Sequence, residues 1–120
     1  MLTVGIDLIE IGRVERALRR YGERFLRRVY TERELAYARG RAAALATRWA
    51  AKEATAKAFG TGIGAVRFNE IEILCDEYGK PELQLHGRAA QLAAQRRWQH
   101  FAVSLSHAGD YAVACVVVHG

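Results

Sequence analysis

The chain has few cysteines and no long apolar run, and each of these shortages excludes a class of protein. It contains two cysteines, Cys75 and Cys115, which lie in apolar surroundings without CxxC spacing. A disulfide framework and a cysteine zinc site are therefore not expected. No apolar run reaches the roughly 18 residues that a transmembrane helix needs. The N-terminal apolar stretch follows no basic segment and contains Asp7 and Glu10, so we expect no signal peptide and a cytoplasmic location.

Acidic residues are outnumbered by basic ones, which points to an acidic partner. The 13 Asp and Glu stand against 18 Lys and Arg, a formal net charge of +5. The excess is regional, because residues 13–48 are rich in arginine and contain no lysine. Nucleic acid, a phosphorylated cofactor or an acidic protein would suit such a surface. The 120 residues predict one domain, 1–120, and a deep substrate cleft would need a second subunit.

Hydrophobic periodicity predicts an α+β fold with an antiparallel sheet packed against a long central helix. The predicted strands are 3–9, 70–76, a partner strand around 83–85, 101–106 and 111–119, of which the last is apolar enough to be central. The predicted helices are 10–21, a helix that begins at the Thr31 capping box and ends near Gly40, 41–59 and 88–97. The longest, 41–59, has an alanine ridge suited to close packing and ends at Gly60.

Two carboxylates are candidates for a metal site. Asp7 lies in the first strand, where a buried carboxylate needs a cation or hydrogen-bond donors, although it could instead cap the following helix. Glu53 of the long helix could meet Asp7 across a helix–sheet contact, and two carboxylates with phosphate oxygens commonly hold Mg²⁺. Alternatively, Glu53 forms only an exposed pair with Lys57, four residues later. The spacing of these residues does not separate the two interpretations.

The long helix and the glycines after it suggest a bound anion. Trp49, Glu53 and Lys57 share one helix face, so a carboxylate for metal and an ammonium for phosphate would point into the same volume. Trp49 could instead be a core residue, which is the commoner role for an aromatic at helical spacing. The GTGIG segment, 60–64, follows a helix and lacks GxxxxGK[ST], which rejects a P-loop. A phosphate at this helix C-terminus would need cations such as Lys57 to offset the negative dipole.

Other motifs are weaker. Ser104, Ser106 and His107 end a predicted strand, but no Asp or second His stands at a recognisable triad spacing, so a role in ligand binding is favoured over a nucleophile. The arginine-rich helix could bind DNA, yet it has no interleaved aromatics and no helix-turn-helix or zinc spacing. A basic nucleic-acid-binding module without enzymatic activity is the alternative function, and an acidic protein partner fits the arginines at least as well.

Five segments, spread in order over essentially the whole chain, resemble the holo-acyl-carrier-protein synthases, the small bacterial phosphopantetheinyl transferases. They are GIDLIEIGRV (5–14), RWAAKEATAKAFGTGIG (48–64), FNEIEI (68–73), DEYGKPEL (76–83) and VSLSH (103–107). The resemblance implies the 4'-phosphopantetheinyl transferase fold. It also implies transfer of 4'-phosphopantetheine from coenzyme A to a serine of apo-acyl carrier protein, with release of adenosine 3',5'-bisphosphate. A homotrimer with active sites between subunits is implied as well, and neither a membrane nor nucleic acid is expected as a partner.

The resemblance also assigns the catalytic and phosphate-binding residues. Asp7 and Glu53 look like the Mg²⁺ ligands and, with Lys57, form the expected catalytic group. Lys57 and Arg48 are similarly placed to the family's phosphate contacts. The family's coenzyme-binding loop corresponds in position to residues 60–62, which are Gly60, Thr61 and Gly62.

Further contacts follow from the same resemblance. Ser106 and His107 are expected to contact the coenzyme, and a structural contact is the alternative for His107. Arg13 and Arg24 match basic positions on the helix that receives the acidic carrier protein. Some relatives have a histidine where this chain has Ala102, so a histidine base is not assumed. A metal-bound water or Glu53 then remains as the proton acceptor.

Overall fold

Five α-helices and five β-strands form an α+β fold in the computed structural model, which describes residues 1–120. The fold class predicted from the sequence is confirmed. In chain order the elements are β1 (Leu2–Glu10), α1 (Ile11–Tyr21), α2 (Glu23–Val29), α3 (Glu32–Ala38), α4 (Ala42–Phe59), a 3-10 helix (Phe68–Glu70), β2 (Ile71–Cys75), β3 (Pro81–Leu85), α5 (Gly87–Gln95), β4 (His100–Ala108) and β5 (Tyr111–His119). None of the helices combines the length and hydrophobicity that a membrane-spanning helix requires.

The strands form two antiparallel sheets. Strand β5 lies between β1 and β4 in a three-stranded sheet, as its apolar sequence predicts. Its inward side chains, Ala112, Ala114, Val116 and Val118, are fully buried. Strands β2 and β3 form the predicted hairpin, but they pair only with each other and make a second sheet. The sequence pattern predicts strands and hairpins, whereas this division depends on long-range pairing.

Helix α4 packs closely on the three-stranded sheet because both surfaces carry small residues. A Cβ atom on Gly5 would lie 1.8 Å from the carbonyl oxygen of Ala54, so β1 can approach α4 this closely only with glycine at that position. Thr3 Oγ1 donates a hydrogen bond to the carbonyl oxygen of Ala58 at 2.9 Å. This contact sets the inner face of β1, which includes Asp7, directly against α4.

The basic segment after β1 is two helices and not one. Helix α1 ends at Tyr21 and α2 begins at Glu23, with Gly22 between them at φ 55° and ψ −130°. The expectation that Arg13 and Arg24 share one helix is therefore wrong, because Arg24 lies on α2. The predicted helix over 10–21 ends where α1 ends, whereas α2 was not predicted.

The outer face of β1 is apolar and exposed. Leu2, Val4, Ile6 and Leu8 are between 61% and 68% exposed. The register sets this row beside Val113, Cys115 and Val117 of β5. An apolar surface of this kind on a folded chain commonly marks an interaction site.

Candidate active site

Asp7 of β1 and Glu53 and Lys57 of α4 form one charged cluster where the strand meets the helix. Lys57 Nζ donates to Asp7 Oδ1 and to the carbonyl oxygen of Ile6, both at 3.0 Å. The Asp7 side chain is 17% exposed, whereas that of Lys57 is 54% exposed. The structure thus brings together the three residues that the sequence predicted as catalytic.

The electrostatics of Glu53 identify a site with two competing negative charges. Burial raises the pKa of Glu53 above its ordinary value, and the nearby Asp7 carboxylate raises it further. Lys57 and Arg13 act in the opposite direction. A carboxylate whose ionisation is disfavoured by a neighbouring carboxylate attracts a cation, because a positive charge stabilises its charged form.

Two alternative roles for these residues are wrong, namely Asp7 as a helix cap and Glu53 as part of an exposed pair with Lys57. Glu10 is the N-cap of α1, and no side chain caps that helix end, so Asp7 does not act as a cap. Lys57 forms its ion pair with Asp7, which excludes an isolated surface pair between Glu53 and Lys57. Both residues instead face the same volume as Asp7.

The donor set fits Mg²⁺ that is shared with a phosphate ligand. The structure contains no group of three or more His, Cys, Asp or Glu residues that could hold a metal ion. Asp7 and Glu53 therefore offer only two carboxylate side chains as ligands. Mg²⁺ is commonly held by one or two carboxylates, with waters and phosphate oxygens completing its octahedron, whereas a structural zinc site needs four protein ligands.

Arg48 lies outside this charged cluster, in a cavity of about 220 Å³ that Ser106 and His107 also line. The residue is only 5% exposed, and no carboxylate forms an ion pair with it. Its Nη1 donates to Thr47 Oγ1 at 3.1 Å, its Nη2 donates to Cys75 Sγ at 3.3 Å, and its buried Nε has no partner. A buried guanidinium without a counter-ion is costly, so this cavity is suited to an anion.

The two sites lie on different sides of α4. Arg48 and Glu53 are five positions apart, which separates them by about 140° around a helix. The cavity of Arg48, Ser106 and His107 does not include Asp7. A single chain therefore does not gather all the predicted coenzyme contacts around the carboxylates, because Arg48, Ser106 and His107 line the separate cavity.

The backbone amides of the glycine-rich loop hold the end of α4. Gly60 adopts the left-handed conformation at φ 76°, and its N–H donates to the carbonyl oxygens of Ala56 and Lys57. The N–H groups of Thr61 and Gly62 also donate to the Ala56 carbonyl oxygen, at 3.2 and 3.3 Å. These three amides are therefore not arranged as an anion-binding nest. Contacts with a coenzyme at residues 60–62 remain a prediction that would involve other atoms.

Three aromatic rings form a cluster that the sequence analysis did not predict: Phe25 of α2, Trp49 of α4 and Phe68 of the 3-10 helix. The Trp49 ring centroid lies 6.0 Å from that of Phe25 and 4.6 Å from that of Phe68. Arg13 lines a cavity of about 90 Å³ over Phe25 and Trp49, and Arg24 lines an adjoining one of about 370 Å³. The only sign of this cluster in the sequence is that the aromatic Phe25 directly follows Arg24, a residue predicted to bind the partner. The two arginines thus flank one apolar hollow.

Comparisons with known proteins agree over nearly the whole chain. Residues 3–116 match the model of the 4'-phosphopantetheinyl transferase superfamily. A holo-[acyl-carrier-protein] synthase of Herpetosiphon aurantiacus is 51% identical over 127 residues, covering 100% of both chains. One from Moorella thermoacetica is 46% identical, covering 98% of this chain and 94% of the relative.

A solved structure gives the same result for the fold. The Helicobacter pylori holo-[acyl-carrier-protein] synthase in complex with coenzyme A superposes with a TM-score of 0.90 at 30% identity, covering 97% of this chain and 99% of that one. The predicted transferase fold is confirmed. The chain belongs to the 4'-phosphopantetheinyl transferase superfamily and, within it, to the holo-[acyl-carrier-protein] synthases.

Proposed function

We propose that this chain transfers 4'-phosphopantetheine from coenzyme A to a serine hydroxyl of apo-acyl carrier protein, in a Mg²⁺-dependent reaction that releases adenosine 3',5'-bisphosphate. The observation that carries the proposal is the pair of Asp7 and Glu53 beside Lys57, where the pKa of Glu53 is raised by burial and by Asp7. Residues 1–120 are proposed to act as one domain. The cytoplasmic location expected from the sequence stays a prediction.

The reaction builds negative charge, and the cluster is suited to neutralise it. Attack of a serine oxygen on the β-phosphate increases the charge on the phosphoryl oxygens and on the departing phosphate. Asp7 and Glu53 would hold Mg²⁺, which supplies positive charge to the pyrophosphate oxygens when it is bound. The exposed Lys57 ammonium can turn from Asp7 to a phosphoryl oxygen. Burial and the nearby Asp7 raise the pKa of Glu53, so its carboxylate is suited to accept the serine proton.

A homotrimer with active sites between subunits would join the two halves of the coenzyme site. The Arg48 cavity, with Ser106 and His107, is suited to a phosphate of coenzyme A but lies apart from Asp7 and Glu53 on one chain. The exposed apolar row of β1 offers a surface for a second copy. One copy would then contribute the carboxylates, and its neighbour would contribute Arg48.

Assembly is tested by light scattering, together with the variant Ile6→Glu on the outer face of β1. We expect the unmodified chain to have the mass of three copies and the variant to lose both assembly and transfer. Glu82→Gln, at an exposed position on β3, is the matched control and should assemble normally. A stable monomer with full activity would contradict the shared site.

The carrier protein is proposed to dock on α1 and α2. Arg13 and Arg24 flank the hollow above Phe25 and Trp49, so an acidic helix could place carboxylates on the arginines and an apolar side chain in the hollow. The hollow adjoins the carboxylate cluster, because Arg13 acts on the pKa of Glu53. A carrier bound there would present its serine near that cluster.

The activity is tested by incubating the purified protein with coenzyme A, Mg²⁺ and apo-acyl carrier protein. We expect the carrier mass to increase by the phosphopantetheine arm, and the increase to stop when a chelator removes the metal. A carrier with the target serine replaced by alanine is the control and should not change. If the carrier mass stays constant under metal-replete conditions and the protein instead retains duplex DNA, the nucleic-acid alternative is the correct one.

A further inference from the structure

Cys75 forms part of the wall of the Arg48 cavity. It is the last residue of β2, its thiol is free and half-buried, and its Sγ accepts the hydrogen bond from Arg48 Nη2 at 3.3 Å. The other cysteine, Cys115, lies on β5 opposite Ile6 and Ser104 in the two neighbouring strands. The two thiols therefore differ in their contact with a guanidinium, which Cys75 has and Cys115 lacks.

The cavity is suited to a negatively charged group. Arg48 is nine-tenths buried or more, lacks a carboxylate partner and has an Nε without a hydrogen-bond acceptor. An anion that pairs with the Arg48 guanidinium would lie close to the Cys75 sulfur, which is 3.3 Å from Arg48 Nη2. The thiolate is the form of cysteine that attacks disulfides.

We propose that Cys75 is a site of reversible S-thiolation by small disulfides that carry a carboxylate or phosphate, and that this modification closes the Arg48 cavity. The Cys75 thiolate attacks one sulfur of the disulfide, the S–S bond breaks, and the other half leaves as a thiolate. The thiol proton passes to solvent. The incoming disulfide is consumed as the oxidant, and a small thiol reverses the reaction.

S-thiolation of Cys75 would affect the binding of coenzyme A, so this inference rests on the proposed function. A group attached to Cys75 would occupy much of a cavity of about 220 Å³ that Ser106 and His107 also line. It would cover Arg48 and remove the proposed phosphate contact. S-thiolation would therefore lower transfer by blocking coenzyme A, and reductant would restore it.

The test compares an anionic disulfide with a neutral one on a chain that has a single thiol. The variant Cys115→Ser is incubated with oxidised glutathione or with 2-hydroxyethyl disulfide, and the mixed disulfide is followed by intact mass spectrometry. Each rate is divided by the rate on the same variant unfolded in urea. We expect the normalised rate to be about tenfold higher for the anionic reagent, and about 0.5 M NaCl to reduce this advantage.

The matched control is Cys75→Ser, which leaves Cys115 as the only thiol and should show no preference for the anionic reagent. The variant Arg48→Met should remove the preference of Cys75. If that variant does not fold, inorganic phosphate supplies a second measurement on the Cys115→Ser chain and should slow both reagents at Cys75. Equal normalised rates, or a preference that persists in folded Arg48→Met, would overturn the proposal.

Adenosine 3',5'-bisphosphate separates this inference from the proposed function. If both are right, it protects Cys75 from the anionic disulfide. An anionic preference without protection supports S-thiolation and removes Arg48 from the coenzyme site. Protection without an anionic preference rejects the inference and leaves the coenzyme site in place.

Discussion

Lys52 and Glu53 are neighbours on α4, yet their side chains enter two charged clusters of different kinds. Lys52 is fully buried, and its Nζ donates to Glu34 Oε1 at 2.7 Å, to the Phe68 carbonyl oxygen at 3.0 Å and to the Ile71 carbonyl oxygen. All three N–H groups of the ammonium therefore have acceptors. Burial lowers the pKa of Lys52, and Glu34 opposes this effect.

The cluster around Glu53 is open where the Lys52 cluster is closed. Asp7 and Lys57 form a partly exposed pair, and the pKa of Glu53 is raised by burial and by Asp7. A saturated buried network ties elements together, in this case α3, α4 and β2, and has no remaining capacity for a ligand. An unsaturated one at the surface can accept a cation and a substrate. Adjacent charged residues on one helix can thus serve stability and chemistry separately.

The largest effect on stability is expected at the closed cluster. Lys52→Met leaves the Glu34 carboxylate buried without its partner, so the free energy of unfolding should fall by about 3–5 kcal/mol in urea denaturation. The double variant Lys52→Met/Glu34→Gln removes the uncompensated charge and should recover part of the loss. A fall below about 1 kcal/mol for the single variant would show that the closed cluster contributes little to stability.

The open cluster should show the reverse pattern. Glu53→Gln keeps the shape of the side chain but removes a metal ligand, so transfer should fall by about 10²–10³-fold. The free energy of unfolding should change by less than about 1 kcal/mol. Calorimetric titration of Mg²⁺ in the presence of coenzyme A should detect weaker binding. Glu77→Gln, in an exposed turn, is the control, and equal losses of activity in both variants would refute the metal assignment.

The pH dependence of stability should distinguish Glu53 from Glu72, a buried carboxylate that accepts hydrogen bonds from several side chains. Glu72 is buried, which alone would raise its pKa, but hydrogen bonds from Thr31, His86 and Arg33 lower the pKa below its ordinary value. Glu72 therefore contributes stability above its ordinary pKa and loses it as the pH falls through the folded value. Glu53 has the opposite sign, because its stabilising contribution is lost as the pH rises through its raised folded pKa.

Urea denaturation between about pH 3 and pH 8 checks both signs. At neutral pH, Glu72→Gln should lower the free energy of unfolding by about 1–3 kcal/mol, and the effect should fade in acid. Glu53→Gln should raise it by less than about 1 kcal/mol, and this gain should also fade in acid. If both variants shifted in the same direction at neutral pH, the contrast between the two carboxylates would be wrong.

The smallest effect is expected at the rim of the docking surface. Arg24→Glu should raise the KM for the carrier by about tenfold and leave kcat nearly unchanged, because an exposed charge acts mainly on association. The measurement is steady-state transfer at low and high salt, with Arg88→Glu on α5 as a control that faces elsewhere. An unchanged KM for the carrier would remove Arg24 from the interface.

Local chemistry explains which parts of the fold could be predicted. The capping box at Thr31 forms as expected, with Glu34 Oε1 accepting from the Thr31 N–H at 2.9 Å. Helix α2 was not predicted, because its seven residues are too few for a helical period to stand out in the sequence. The buried role of Lys52 was also missed, because a lysine on an alanine-rich helix looks like a solvated residue until Glu34 is brought beside it.

By itself, the sequence determined the order of the strands and of every helix except α2, together with the cap at Thr31 and the end of α4 at Gly60. These features depend on periodicity and on hydrogen bonds between residues a few positions apart. Only the tertiary structure decided that Lys57 pairs with Asp7, which lies 50 residues away, and that Arg48 lies in a separate cavity. Those outcomes depend on how closely β1 approaches α4 and on which face of the helix each side chain occupies.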